Sequence, residues 1–176
     1  EVAADYEKNA ITRVLGYCEK RAAVIPHDEV HEPHYYLVME RATESLATRI
    51  VKSPSKLTPP SVRAALTAVA TSIAYLVSKK IAHRDLHLGN ILCFGDDVFK
   101  ITDFDAASLG DNERPTRYTP GWSCPLVEKA AKRECGDMEL DEMFRLLGAN
   151  RDRIDVFSFG RLLDERSRLR SLRRPT

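Results

Sequence analysis

Ile-Ala-His-Arg-Asp-Leu-His-Leu-Gly-Asn-Ile-Leu-Cys-Phe-Gly-Asp-Asp-Val-Phe-Lys-Ile-Thr-Asp-Phe-Asp, residues 81–105, is the stretch whose reading decides the fold. Two short apolar runs, 91–93 and 98–101, flank Gly95-Asp96-Asp97, the pattern of two antiparallel strands joined by a tight turn. Asp85 and Asn90 precede the first run and Asp103 follows the second. Pairing the strands therefore brings three oxygen-bearing side chains to one end of the hairpin. The bland alternative is a buried polar hairpin whose acids satisfy backbone donors.

Phosphoryl transfer requires a carboxylate to orient and deprotonate the acceptor hydroxyl, and hard oxygen ligands for the magnesium that screens the phosphates. Asp85, Asn90 and Asp103 supply both kinds of group. His83-Arg84-Asp85-Leu86-His87-Leu88-Gly89-Asn90 resembles the catalytic loop of eukaryotic protein kinases, and Asp103-Phe104-Asp105 resembles their Asp-Phe-Gly magnesium motif. The resemblance implies Asp85 as catalytic base, His87 beside the transferred phosphate, and Asn90 and Asp103 as metal ligands. It also implies that Leu92 forms part of the apolar floor under adenine.

With 176 residues the chain can bury a core of its own, and because a complete kinase domain is larger the length suggests a piece of one. Apolar content of 43% with 30% charged residues fits a soluble globular chain rather than a disordered one. A formal net charge of +1 gives no reason to expect nucleic acid or membrane as a partner. Cys18, Cys93, Cys124 and Cys135 are widely spaced without a Cys-x-x-Cys pair, so reduced thiols are expected. No apolar run approaches the roughly 20 residues of a membrane span, and the acidic first residues do not resemble a signal peptide. The expected location is cytoplasmic or nuclear.

Residues 1–8 read as the tail of an amphipathic helix with Val2 and Tyr6 on one face, and 11–18 and 35–39 as strands similar to the family's fourth and fifth. Glu1 matches poorly the helix glutamate that the family pairs with a nucleotide-binding lysine. Residues 19–34 hold His27, His31 and His34, which would suit zinc on a helix; Pro26 and Pro33 favour a solvated loop instead. Met39-Glu40-Arg41-Ala42 resembles the hinge, which implies that Glu40 and Ala42 meet the adenine edge through their backbones. Residues 45–51 read as a short helix and 52–60 as a Pro/Ser-rich connector. Thr58 before Pro59 and Pro60 is a helix start. Val62, Ala65, Leu66, Val69, Ile73, Leu76 and Val77 then recur at three- and four-residue steps, one apolar face of about six turns.

Residues 104–124 lack periodicity, as an activation segment should. Thr119-Pro120-Gly121-Trp122-Ser123-Cys124-Pro125-Leu126 resembles the family's Thr-Pro-Gly-Tyr-x-Ala-Pro-Glu, which implies Thr119 against the base. Thr116, Tyr118 and Thr119 carry hydroxyls that, once phosphorylated, would suit Arg84; a plain surface loop is the alternative. Residues 127–150 read as one or two helices with Met143, Leu146 and Leu147 inward. Asp155-Val156-Phe157-Ser158-Phe159-Gly160 resembles the start of the lobe's buried helix, whose aspartate caps the catalytic-loop backbone. Beyond Leu163 the sequence turns polar and reads as a frayed tail.

These readings converge on an α+β, protein-kinase-like fold: a mostly helical C-terminal lobe with a remnant of the N-terminal sheet. The expected division is 1–39 for that remnant, 40–163 for hinge and lobe, and 164–176 for a polar tail. The resemblance implies ATP-dependent transfer to protein serine or threonine, with ATP and Mg2+ as cofactors and a protein substrate as partner. None of the eight glycines forms Gly-x-Gly, and no Val-Ala-x-Lys strand is present. Asp105 stands for the family's glycine, Leu126 for its glutamate and His87 for its lysine. A pseudokinase scaffold is therefore the competing reading.

Overall fold

A computed structural model describes residues 7–20, 34–109, 115, 117–134, 136 and 138–171. In chain order it contains strands β1 (Val14–Lys20), β2 (His34–Met39) and β3 (Glu44–Ser45), helix α1 (Leu46–Lys52), a 3-10 turn (Pro54–Lys56) and helix α2 (Pro59–Ser78). A second 3-10 turn (Leu88–Asn90), strands β4 (Ile91–Cys93) and β5 (Phe99–Ile101), and helices α3 (Pro125–Lys132), α4 (Leu140–Ala149) and α5 (Arg151–Ser171) follow. β1 and β2 form an antiparallel pair, and β3-β4-β5 a separate antiparallel sheet.

Helix α2 organises the molecule. Thr58 caps its N-terminus by accepting from Ser61 N, and Pro59 occupies the first turn, where its missing N–H costs nothing. Its end is a Schellman turn: Ile81 N donates to Leu76 O and Lys80 N to Val77 O, with Lys80 left-handed at φ +58°. The inner stripe, Ala65, Val69, Ile73 and Leu76, packs with Leu86, Ile91, Phe99, Ile101 and Leu162. A second cluster joins Ala82 to Val127, Ala130, Met143, Leu147 and Ile154 across α3, α4 and α5. By length and composition α2 is apolar enough to cross a bilayer, where no run of that kind was expected. Its inner stripe belongs to the core just described.

Three further boundaries differ from expectation. Ile11 does not begin a strand: it forms a parallel bridge to Ile101, with Thr12 N donating to Ile101 O and Ile101 N to Ala10 O. Asp155 is not the start of its helix, since α5 begins four residues earlier at Arg151. The backbone after Leu163 stays helical as far as Ser171, past the point where the sequence turns polar. Arg, Leu and Glu are strong helix formers, and polarity argues against burial rather than against helicity. Glu1, Val2, Tyr6, Pro26, His27, His31, Pro33, Thr116, Cys135 and Arg174 lie outside the described residues; His34 opens β2.

Candidate active site

The turn that ends α2 delivers the chain into residues 81–90, and α5 holds that loop. Asp155, 3% exposed, accepts from His83 N at 2.7 Å and Arg84 N at 2.9 Å. Burial pushes its carboxyl above the ordinary range, against the pull of His83, Arg84 and these two N–H groups. Arg84 is left-handed at φ +68°, a conformation that costs a non-glycine residue about 1–2 kcal/mol, and the Asp155 bonds offset it. Two more α5 residues, at i+3 and i+6 from Asp155, reach the 119–123 turn: Ser158 Oγ donates to Trp122 O, and Arg161 Nε to Gly121 O. One helix face thus fixes both polar segments of the site.

The two segments meet at Asp85. Thr119 Oγ1 donates to Asp85 Oδ1 at 2.6 Å, the contact the resemblance implies. Ser123 Oγ in turn accepts from Thr119 N at 2.9 Å. Asn90 Nδ2 donates to Asp85 O at 2.9 Å, so the amide oxygen is the atom of this side chain that could meet a metal. Thr102 N donates to Asn90 O, so the hairpin brings Asn90 beside the residue that precedes Asp103. Asp103 is exposed and left-handed at φ +66°, and its Oδ1 accepts weakly from Asp105 N at 3.4 Å. His83 braces this corner: Nε2 lies 2.9 Å from Thr102 O and the ring leans on Phe104 at 4.7 Å.

His87 sits on the same side, with Nε2 3.8 Å from Asp85 Oδ2, beyond hydrogen-bond length. Its Nδ1 accepts from Gly89 N at 3.0 Å, so the ring caps the 3-10 turn. A Cβ on residue 89 would stand 2.7 Å from His87 Cε1, which explains the glycine.

Glu40 and Thr43, the residue after Ala42, bond to Lys100 and Cys93, the cross-strand partner and the chain neighbour of Leu92. Leu92 on β4 is half-buried and faces Lys100 across the pair. Thr43 N and Oγ1 both donate to Cys93 O, which holds Ala42 near the end of β4. Glu40 is a side-chain anchor as well as a candidate backbone contact, because Oε1 accepts from Arg13 N at 2.7 Å and both oxygens pair with Lys100. The reading from sequence missed Lys100, Ser123 and Arg161. Only Lys100 left a signal, as a lysine between Phe99 and Ile101 in an apolar strand. Asp105 pairs with Arg117 at 3.1 Å on the exposed surface.

No group of three His, Cys, Asp or Glu side chains that could hold a metal occurs among the described residues. Asn90 and Asp103 offer one amide and one carboxylate oxygen, a set that suits magnesium, which takes one or two protein ligands and fills its octahedron with phosphate oxygens and water.

The family described as Protein kinase domain matches residues 1–136. The chain belongs to the protein kinase domain family. Its helical body and small antiparallel sheets correspond to the family's helical lobe with part of the strand-rich one. The kinase domain is 33% identical over 100 residues to the cell cycle serine/threonine-protein kinase CDC5/MSD2 of Saccharomyces cerevisiae, covering 54% of this chain and 14% of that protein. It is 27% identical over 159 residues to the mitogen-activated protein kinase kinase kinase dlk-1 of Caenorhabditis elegans, covering 88% and 14%. With human cyclin-dependent kinase 9 it shares 32% identity over 87 residues, 48% of this chain and 23% of the relative. The matches thus span between about one seventh and one quarter of these relatives' lengths.

Proposed function

We propose that this kinase domain transfers the γ-phosphoryl group of ATP to serine or threonine hydroxyls of a protein substrate. The observation that carries the reading is the Thr119 Oγ1 to Asp85 Oδ1 bond at 2.6 Å. It commits one carboxylate oxygen to the segment where a substrate would lie and leaves Oδ2 as the basic atom. In this reading Asp85 Oδ2 takes the proton of the attacking hydroxyl as the hydroxyl oxygen bonds to the γ-phosphorus and the bond from that phosphorus to the bridging oxygen breaks, so that ADP leaves and Asp85 ends protonated. Asn90 and Asp103 would hold Mg2+, which supplies charge screening on the phosphates. His87 stands beside the reacting atoms, and Leu92 with the backbones of Glu40 and Ala42 frames adenine. Residues 1–39 would then belong to the strand-rich lobe and 40–163 to hinge and helical lobe. The working location would be cytoplasm or nucleus.

The test is phosphoryl transfer from Mg2+–ATP to a serine- and threonine-bearing protein by the full-length protein. Asp85→Asn should slow it by roughly 10²- to 10⁴-fold, and unchanged turnover would remove Asp85 from the role. The exposed Asp105–Arg117 pair favours a second reading, in which the segment after Asp103 is latched and the domain serves as a scaffold. Full-length protein that binds partners but neither ATP nor phosphate acceptors would support that reading.

A further inference from the structure

Lys100 is a buried cation with an unusual set of partners. It stands on β5 between Phe99 and Ile101, and its side chain is 3% exposed. An ammonium group tolerates burial only when each of its three donors is met. Here Nζ lies 2.7 Å from Glu7 Oε1 and 2.9 Å from each oxygen of Glu40, with the Phe94 ring 4.9 Å away. Burial lowers its pKa and the two glutamates more than restore it, so the group stays a cation. Three pieces of chain converge on it. Glu7 lies in a helical turn, Glu40 follows β2, and Arg13, whose N–H donates to Glu40 Oε1, precedes β1. Arg13 O also accepts from Glu40 N, so the lysine sits where the strand pair is rooted.

Among the described residues little else holds the pair. Tyr17 is 80% exposed and Leu37 61%, and Val14, Leu15, Tyr36, Val38 and Met39 are exposed as well. No described residue gives it a packed face that would set its orientation. Among the described residues two devices remain: the backbone strap from Ala10 to Thr12 on Ile101, anchored by Ser72 Oγ on the carbonyls of residues 9 and 10, and the Lys100 cluster. Lys100 is the cross-strand partner of Leu92, so the cluster and the proposed adenine floor share one face of β4–β5.

We propose that Lys100 is a positioning residue that, through Glu40 and Glu7, pins the base of the β1–β2 pair and the 39–42 segment to β5. Its loss frees the pair to swing. Only the consequence for nucleotide binding rests on the kinase reading.

The test uses the 176-residue chain and amide hydrogen exchange resolved by NMR. In Lys100→Met and in Glu40→Gln, exchange at the Thr12 and Glu40 amides should accelerate about 10-fold or more, while the α2 amides of Val69 and Ile73 keep their protection. The double variant should exchange no faster than the faster single. A Lys100 ammonium signal, slowed by its three acceptors, should be visible in the parent and lost in Glu40→Gln. Glu40→Gln keeps an oxygen for Arg13 N, so it decides the matter if the methionine variant does not fold. Unchanged exchange at Thr12 and Glu40, or equal acceleration at Val69 and Ile73, would overturn the proposal. Adding Mg2+–ATP separates the two readings. Weaker binding in Lys100→Met than in the parent supports both, whereas local loosening with no ATP binding by any of the proteins keeps the lock and sinks the kinase reading.

Discussion

Asp155→Ala should destabilise the protein more than any change at the exposed acids. The substitution strips two backbone donors, His83 N and Arg84 N, of acceptors they meet at 2.7 and 2.9 Å in a site that is 3% exposed. An orphaned buried donor costs about 1–3 kcal/mol, so two give about 2–6 kcal/mol. Relief of the carboxylate's own burial offsets part of this, and release of Arg84 from φ +68° offsets a little more. The net loss should be about 3 kcal/mol. Asp155→Asn keeps one acceptor and turns an amide donor toward the second N–H, so it should fall between parent and alanine variant. With a urea m-value of about 2 kcal/mol/M, the alanine midpoint should drop by about 1.5 M. Circular dichroism in a urea series at neutral pH measures it. Midpoints within about 0.2 M of the parent for both variants would refute the claim that α5 holds the loop through this carboxylate.

Burial pushes the Cys93 thiol up to about 11, while Cys124 is only half-buried. Iodoacetamide at pH 8 should therefore label Cys124 well before Cys93, and mass spectrometry showing equal rates would contradict the burial argument. Lys100 has a folded pKa above its ordinary 10.5, so its stabilising contribution is complete below that value and lost as pH rises through the folded pKa. The stability gap between parent and Lys100→Met should be flat from about pH 6 to 9 and shrink above about 10.5; a gap that narrows near pH 7 would show the cluster is not what stabilises. Gly89→Ala should drive the His87 ring off the turn, because its Cβ would lie 2.7 Å from Cε1. Transfer by the full-length protein should slow about 10- to 100-fold with the urea midpoint hardly moved, and unchanged transfer would remove the ring from the site.

What could be read from the residues was local or ordered in sequence. The 81–105 hairpin announced itself because its polar groups flank short apolar runs around a Gly-Asp-Asp turn, and α2 because one stripe repeats over 20 residues. Thr119 against Asp85 and Asp155 under the loop followed from the resemblance of their motifs to the kinase family and are met by short bonds. The rest depended on partners far along the chain. Ile11 continues a pattern that looks like a strand, yet its neighbour is Ile101, ninety positions away, so it bridges β5 instead. Lys100 looked like one more charge, since nothing local says that Glu7 and Glu40 converge on it. The bond from Gly89 N to His87 Nδ1 is likewise invisible in the letters. Polarity after Leu163 did not mark the end of the helix, because it reports on burial and not on backbone.

The central claim is that Asn90 and Asp103 hold the metal of a bound nucleotide beside Asp85, and paramagnetic relaxation tests it most directly. Mn2+–ATP titrated into the isotopically labelled 176-residue chain should broaden the Asn90 side-chain amide and the Asp103 backbone amide first. The Asp85 amide should follow, and α4 signals such as Met143 should stay sharp. The pattern should vanish in Asp103→Ala. Broadening centred away from residues 85–103, or an identical pattern in the alanine variant, would contradict the account.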